Sequence, residues 1–262
     1  MILEGQERLS TIFENMPLSQ LPQTFMLLGE VGCGKHTLAT KLASYYQLDY
    51  LDITEHISND VLSELALSPM PTLYIVDTQL MNERQQNTIL KFIEDYRPNS
   101  WTCLICSNKN LLLETIVNRC IVYTFDAYTK EFLKGFAESL LGEGNCDKAL
   151  ELSATVGQLN AFIGQDLTKL ESLCDKIIHK IKLANLSNVL SIANQFNYKD
   201  LYDKFNVDIF FKLMCKKLQE ECLTDIKYLS QYKITQEYAK RLNDARVNKQ
   251  YLLENYLIQL WR

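Results

Sequence analysis

Hydrophobic positions divide this chain into two stretches with different rhythms. Up to about residue 126, short apolar runs alternate with segments whose apolar residues recur every three or four positions, the pattern of a parallel sheet covered by helices. The runs place strands at 25–28, 48–53, 73–77, 101–106 and 121–125, and helices fill the gaps. The helix over 83–96 is the best marked. Asn82 stands where a cap belongs, Gln85 follows three residues later, Ile89, Phe92 and Ile93 share a face, and Pro98 stops the helix. From Lys130 onward the strand signals cease, glycines are few and proline is absent, so the remainder reads as helical. The fold class is therefore α/β: a parallel-sheet domain over 1–126, a small helical lid over 127–168 and an all-α domain over 169–262.

Composition narrows the function classes. A hydrophobic share of 47% and a charged share of 23% in 262 residues describe an ordinary globular chain. The first residues carry Glu4 and Glu7 and lack a basic start with an apolar core, which sets the cytoplasm as the expected location and no membrane as a partner. A formal charge of −5 argues against a chain that grips a nucleic-acid backbone alone, because such binding rests on many Lys and Arg contacts. Lys212, Lys216 and Lys217 form a local basic group, which is more often simply a solvated helix face. The eight cysteines are scattered, several inside apolar runs, and read as reduced, buried thiols. Cys103 and Cys106 have Cys-x-x-Cys spacing, but in a strand their sulfurs fall on opposite faces and no second pair exists for zinc, so no metal is expected. His56 and His179 have no partner spacing that suggests chemistry. The aromatic and leucine positions of 210–218 and 251–261 read as core or as subunit interface.

The candidate chemistry begins at Gly29-Glu30-Val31-Gly32-Cys33-Gly34-Lys35-His36, which follows an apolar run and opens a helix over 37–46. Strand, glycine loop and helix in that order suit a phosphate cradle: backbone N–H groups turn inward, the helix start adds positive potential, and Lys35 reaches terminal phosphates. The residue after the lysine normally offers a hydroxyl to magnesium, which wants oxygen ligands. Here it is His36. Thr37 has a hydroxyl, but one residue along a helix is a rotation of about 100° and a rise of about 1.5 Å, so it points elsewhere. The loop suits phosphate and not a firmly held metal; a glycine-rich turn that binds nothing is the alternative. Further on, Asp77 ends an apolar strand, either as a simple strand end or as the acid that holds magnesium beside a phosphate loop. The place after it, where a motor ATPase has a glutamate, is Thr78, which offers no base near neutral pH.

Asp77, then Asn87-Thr88-Ile89-Leu90-Lys91-Phe92-Ile93-Glu94, Ser107-Asn108, and Leu112 through Asn118-Arg119-Cys120 together resemble the clamp-loader branch of the AAA+ proteins. The segment from Arg241 to Leu260, with Asn243, Asn248 and Leu252-Leu253-Glu254-Asn255, looks like the last collar helices of bacterial DNA polymerase III delta-prime subunits. The resemblance is strongest over 25–125 and at the C-terminal end, and thin between about 170 and 235. It implies an AAA+ sheet domain, a lid and a collar used for oligomerisation. It also implies a nucleotide site built from Gly29, Gly32, Gly34, Lys35, Thr37 and Asp77, with Asn108 as first sensor. Arg119 becomes a finger that reaches the phosphates held by a neighbouring subunit; read alone, it is a surface arginine in a turn. The implied partners are the clamp-loader ATPase subunits (tau/gamma) and the delta subunit in a hetero-oligomer, a pentamer in that family, acting indirectly on the sliding clamp and primer-template DNA.

Departures from the family pattern point one way. Gly157-Gln158-Leu159-Asn160-Ala161 resembles the second sensor, with Asn160 where an active ATPase has arginine. Together with His36 and Thr78, this compromises the metal, base and charge-sensing groups. The four-cysteine zinc module of many relatives has no cysteine to build on in 45–55, and the usual Glu-Glu-Pro-Pro helix ending is Glu94-Asp95-Tyr96-Arg97-Pro98. The reading that follows is a non-hydrolysing subunit of the DNA-directed DNA polymerase III holoenzyme, with no cofactor required and at most weak ATP or ADP binding. A competent phosphate-loop ATPase or kinase, and another clamp-loader subunit, stay open as alternatives.

Overall fold

The computed structural model describes residues 3–53, 70–79, 81–95, 98–183, 206–242 and 247–260. All five expected strands are present: β1 (Thr24–Leu28), β2 (Asp49–Asp52), β3 (Thr72–Asp77), β4 (Ser100–Cys106) and β5 (Ile121–Thr124). They pair in parallel in the order β2-β3-β4-β1-β5. Helices α1 (Glu7–Glu14), α2 (Lys35–Tyr45), α3 (Glu83–Glu94) and α4 (Glu114–Val117) belong to the same half of the chain.

Period-two alternation in the central strands sends side chains to opposite faces of the sheet, and each face builds its own core. On one, Phe25, Leu27, Leu73, Ile75, Cys103 and Ile105 meet Leu9 and Phe13 of α1 and Leu38, Ala39, Leu42 and Ala43 of α2. On the other, Met26, Tyr74, Val76, Leu104 and Cys106 meet Ile89 and Phe92 of α3 and Ile116 of α4. Cys103 and Cys106 thus face opposite ways, as strand geometry requires. Tyr74 and Phe92 pack edge to face with centroids 5.2 Å apart. The outermost strands β2 and β5 are largely exposed, because each has a neighbour on one side only.

Helix α3 has the capping box read from its sequence: Asn82 Oδ1 accepts from the Gln85 amide at 3.0 Å, and Gln85 Oε1 accepts from the Asn82 amide at 3.0 Å. It ends at Glu94, two residues short of the expected Tyr96, which with Arg97 lies outside the described residues.

The second half is helical throughout its described residues: α5 (Lys130–Leu141), α6 (Glu143–Glu151), α7 (Val156–Asn160), α8 (Leu167–Leu183), α9 (Val207–Thr224), α10 (Leu229–Arg241) and α11 (Lys249–Leu260). The chain forms two compact units, Met1–Phe136 with Ala154–Gln158, and Ala137–Ser153 with Leu159–Arg262. The core of the second unit centres on Tyr256, which is fully buried against Phe210, Phe211 and Tyr238, its hydroxyl 3.0 Å from Thr235 Oγ1. Burial also pushes the Tyr256 hydroxyl far up from its usual pKa. Much of the aromatic pattern of 210–218 and 251–260 is therefore core; Trp261 and Asn243 lie outside the described residues. Among the described residues no helix is long and apolar enough to cross a membrane.

Candidate functional site

Register fixes where the candidate groups emerge. Leu28 of β1 lies beside Cys106 of β4 and Thr124 of β5, and Asp77 of β3 beside Ile105 of β4. The glycine loop, Asp77 and Asn108 therefore leave the sheet at its C-terminal edge, where open parallel sheets hold ligands.

The loop is ordered by its own carbonyls. Gly29 O and Glu30 O accept from Lys35 Nζ at 2.6 and 2.7 Å. Val31 O accepts from Thr155 Oγ1 at 3.0 Å, Gly32 O from the Gly157 amide at 2.8 Å, and Cys33 O from the Tyr128 hydroxyl at 2.9 Å. Gly34 O starts α2 by accepting from the Leu38 amide at 2.8 Å. The loop has φ of +84° at Gly32 and +93° at Gly34, left-handed values that favour glycine. Gly157 is required for a different reason: a Cβ there would lie 2.5 Å from Gly32 Cα. Lys35 is only 5% exposed. Two of its three ammonium donors serve carbonyls, and Cys33 Sγ lies 3.9 Å from the ammonium. Cys33 is itself buried, and desolvation raises its thiol pKa against the lowering effect of the Lys35 charge.

The groups that would serve a metal and a water are engaged elsewhere. His36 Nε2 meets Asp52 Oδ2 at the end of β2 in a short contact. Thr37 is exposed on α2. Asp77 Oδ1 accepts from the Gln79 amide at 2.9 Å. Thr78 is 5% exposed, and both its amide and its hydroxyl donate to Ile105 O, at 3.0 and 2.8 Å. Asn108 is exposed and spends its side-chain oxygen on the Asn110 amide at 3.1 Å. Asn160, three residues after Gly157, is exposed. Tested against magnesium nucleotide, the donor set does not fit the ion, and the ammonium expected on the phosphates, Lys35 Nζ, is engaged by the loop's own carbonyls. Among the described residues no group of three His, Cys, Asp or Glu side chains could hold a metal.

Arg119 follows α4 and is exposed. Its Nη1 donates to Thr115 O at 2.9 Å and its Nη2 lies 2.7 Å from Glu94 Oε1 at the end of α3, with both side chains 43% exposed. The three lysines of the local basic group have partners in their own unit: Lys212 Nζ donates to Leu152 O at 2.9 Å, Lys216 pairs with Glu151, and Lys217 lies 2.5 Å from Asp175. His179 is exposed on α8, and His56 lies outside the described residues.

Asp52, Thr155, Gly157 and Tyr128 all act on the loop, yet none stands near it in sequence except through the fold. Only the glycine of the second-sensor-like segment carried any prior signal.

Residues 51–129 match the family described as DNA polymerase III, delta subunit. That stretch contains Asp52, Asp77, Thr78, Asn108 and Arg119. Among solved structures, a DNA polymerase III gamma subunit-related protein from Thermotoga maritima superposes with a TM-score of 0.57 at 14% identity, over 98% of this chain and 99% of that one. Two variants of RuvB from Thermotoga maritima give TM-scores of 0.46 and 0.47, one at 21% identity over 66% of this chain and 62% of that one, the other at 19% over 95% and 80%. No curated protein sequence matches. The expected fold class, an α/β domain with a five-stranded parallel sheet followed by helices, is thereby shown.

Proposed function

We propose that this chain is a non-hydrolysing, delta-prime-like subunit of a DNA polymerase III clamp loader, which lends Arg119 to the nucleotide site of a neighbouring ATPase subunit. The observation that carries this reading is the position of Thr78. Where an attacking water would need a base, the side chain is a hydroxyl locked onto Ile105 O inside the sheet. It has neither the basicity nor the orientation to serve. The match of residues 51–129 to a DNA polymerase III delta family supports the replication setting.

On this reading residues 1–126 are the nucleotide-binding-like domain, 127–168 the lid and 169–262 the collar. The partners are tau/gamma-type ATPase subunits and the delta subunit in a cytoplasmic hetero-oligomer, with the sliding clamp and primer-template DNA reached through them. Arg119 suits its role chemically, because a guanidinium is always charged and presents a planar fork to phosphate oxygens. Glu94 and Thr115 O hold that fork at the surface without burying it.

Replacing Arg119 with alanine in the reconstituted assembly is expected to slow ATP turnover while the assembly persists. An unchanged rate would remove the finger role. The competing reading, a self-sufficient phosphate-loop enzyme, requires magnesium-dependent turnover by the chain alone that is lost on Lys35→Ala.

A further inference from the structure

Arg119 reaches the surface just after a short helix, and two contacts fix its guanidinium there. Its Nη1 donates to Thr115 O one turn back, and its Nη2 lies 2.7 Å from Glu94 Oε1. Of the five N–H donors of a guanidinium, these contacts leave three, one on each nitrogen. The two anchors stand on different helices. Glu94 closes α3, whose Phe92 packs edge to face on Tyr74 of β3, and Thr115 belongs to α4, whose Ile116 is buried in the same core. The buried side chain of Gln86 joins them: its Nε2 donates to Leu111 O at 3.0 Å and its Oε1 accepts from the Leu113 amide at 2.8 Å, which ties the approach to α4 onto α3. Both anchors of the guanidinium therefore belong to one frame.

A free arginine on a surface loses rotamer entropy when it settles on a phosphate, and a carboxylate that holds the fork beforehand removes part of that loss. The same carboxylate has an opposing effect, because its negative charge lowers the potential that the cation offers. Both side chains are 43% exposed, so water screens the charge, whereas it leaves the geometry of the contact in place. Orientation outweighs competition.

We infer that Glu94 is a positioning residue for Arg119, holding the guanidinium in the pose from which it meets the phosphates of a neighbouring subunit. The inference rests on the finger role proposed above and adds to it the side chain that orients the finger.

Steady-state ATP turnover of the reconstituted assembly, carried through a double-mutant cycle, tests it. Glu94→Ala is expected to lower kcat by about fivefold, ~1 kcal/mol, the upper end for an exposed ion pair, with KM for ATP unchanged. Glu94→Gln keeps an acceptor oxygen without the charge, so it should recover most of that loss. On an Arg119→Ala background, Glu94→Ala should cost nothing further, whereas a residue that merely finishes α3 would lower kcat there as well. Size-exclusion chromatography shows that each variant enters the assembly. The inference alone is overturned if the assembly is slowed by Arg119→Ala and not by Glu94→Ala, if Glu94→Ala costs the same with and without Arg119, or if both Glu94 variants turn over faster, which would mean that the carboxylate holds the finger back. An assembly indifferent to Arg119→Ala overturns the finger role itself, and this inference with it.

Discussion

Lys35 and Arg119 are cations of the same unit in opposite surroundings. Lys35 is nearly buried and donates to its own loop at 2.6 and 2.7 Å. Arg119 stands at the surface, held by one carbonyl and by a carboxylate as exposed as itself. The groups around Lys35 follow its direction: Thr78 turns into the sheet, His36 turns to Asp52, and Gly157 lies against the loop from outside. Thr78 and His36 thus spend their side chains on contacts within the fold. Arg119, the cation proposed to act on a nucleotide bound elsewhere, stands at the surface. A buried, hydrogen-bonded group is expensive to remove, whereas an exposed pair is worth little to the fold, so substitutions at the two places should separate stability from activity.

The largest effect is expected at Arg119. Arginine fingers contribute roughly 10³-fold to 10⁵-fold in other phosphoryl-transfer systems, and they do so through a fork that lysine lacks. Arg119→Lys should therefore slow turnover of the assembly nearly as much as alanine, by about 10³-fold on that scale, with no change in the melting temperature of the isolated chain. Steady-state ATPase measurement and thermal denaturation would show the split; full activity with lysine would mean that charge alone matters. Gly157→Ala reverses the profile. Its Cβ would meet Gly32 Cα at 2.5 Å and Gly32 O at 2.9 Å, so the segment must shift and its hydrogen bonds to the loop weaken. Overpacking of this kind costs about 1–3 kcal/mol, measurable by denaturant unfolding. An unaltered midpoint would show that the contact is not tight.

Thr78→Val should cost about 1 kcal/mol. The loss stays small because Ile105 O keeps its bond from the Thr78 amide, so no buried acceptor is orphaned. Turnover of the assembly should be unaffected; a loss there would give Thr78 a chemical role that its geometry denies. The smallest effect is expected at Asp126, where Arg8 Nε donates to Oδ2 at 2.8 Å and Arg8 Nη2 also bonds Thr124 O at the end of β5. The hydrogen bond and then the charge of Arg8 hold the Asp126 carboxyl below its usual range. A depressed carboxylate pKa adds stability above the unfolded value of about 4 and loses it as pH falls through the folded value. Asp126→Asn should thus lower stability at pH 7 by less than ~1 kcal/mol, since the pair is solvent-screened, and should make no difference well below pH 4. Paired melts at the two pH values would detect this.

What the sequence made legible is what depends on short separations. The five strands followed from apolar runs, the α3 cap from Asn82 and Gln85, and the turn between β1 and α2 from eight consecutive residues rich in glycine. The ends of elements were less legible, because propensity fades where tertiary contacts decide: α3 stops at Glu94 without waiting for Pro98. The exposure of β2 and β5 was hidden for a related reason. Tyr50, Leu51, Ile121 and Val122 lie in expected strands, and only the strand order puts them at the two edges, where they are exposed. The site's decisive contacts were out of reach altogether. His36 to Asp52 spans 16 residues, Thr78 to Ile105 spans 27, and Thr155 to Val31 spans 124. In each case the sequence showed an unusual residue or an ordinary one, and the fold alone supplied its partner. The identity of Thr78 showed that a base was missing; its hydrogen bond shows that the side chain is committed elsewhere.

ATP turnover measured side by side for the chain alone and for the assembly containing it, each with Arg119 and with Arg119→Ala, addresses the division between the two cations most directly. The expected result is no turnover by the chain alone in either form, and a large loss in the assembly when Arg119 is removed. Turnover by the chain alone that disappears on Lys35→Ala, or an assembly indifferent to Arg119, would contradict it.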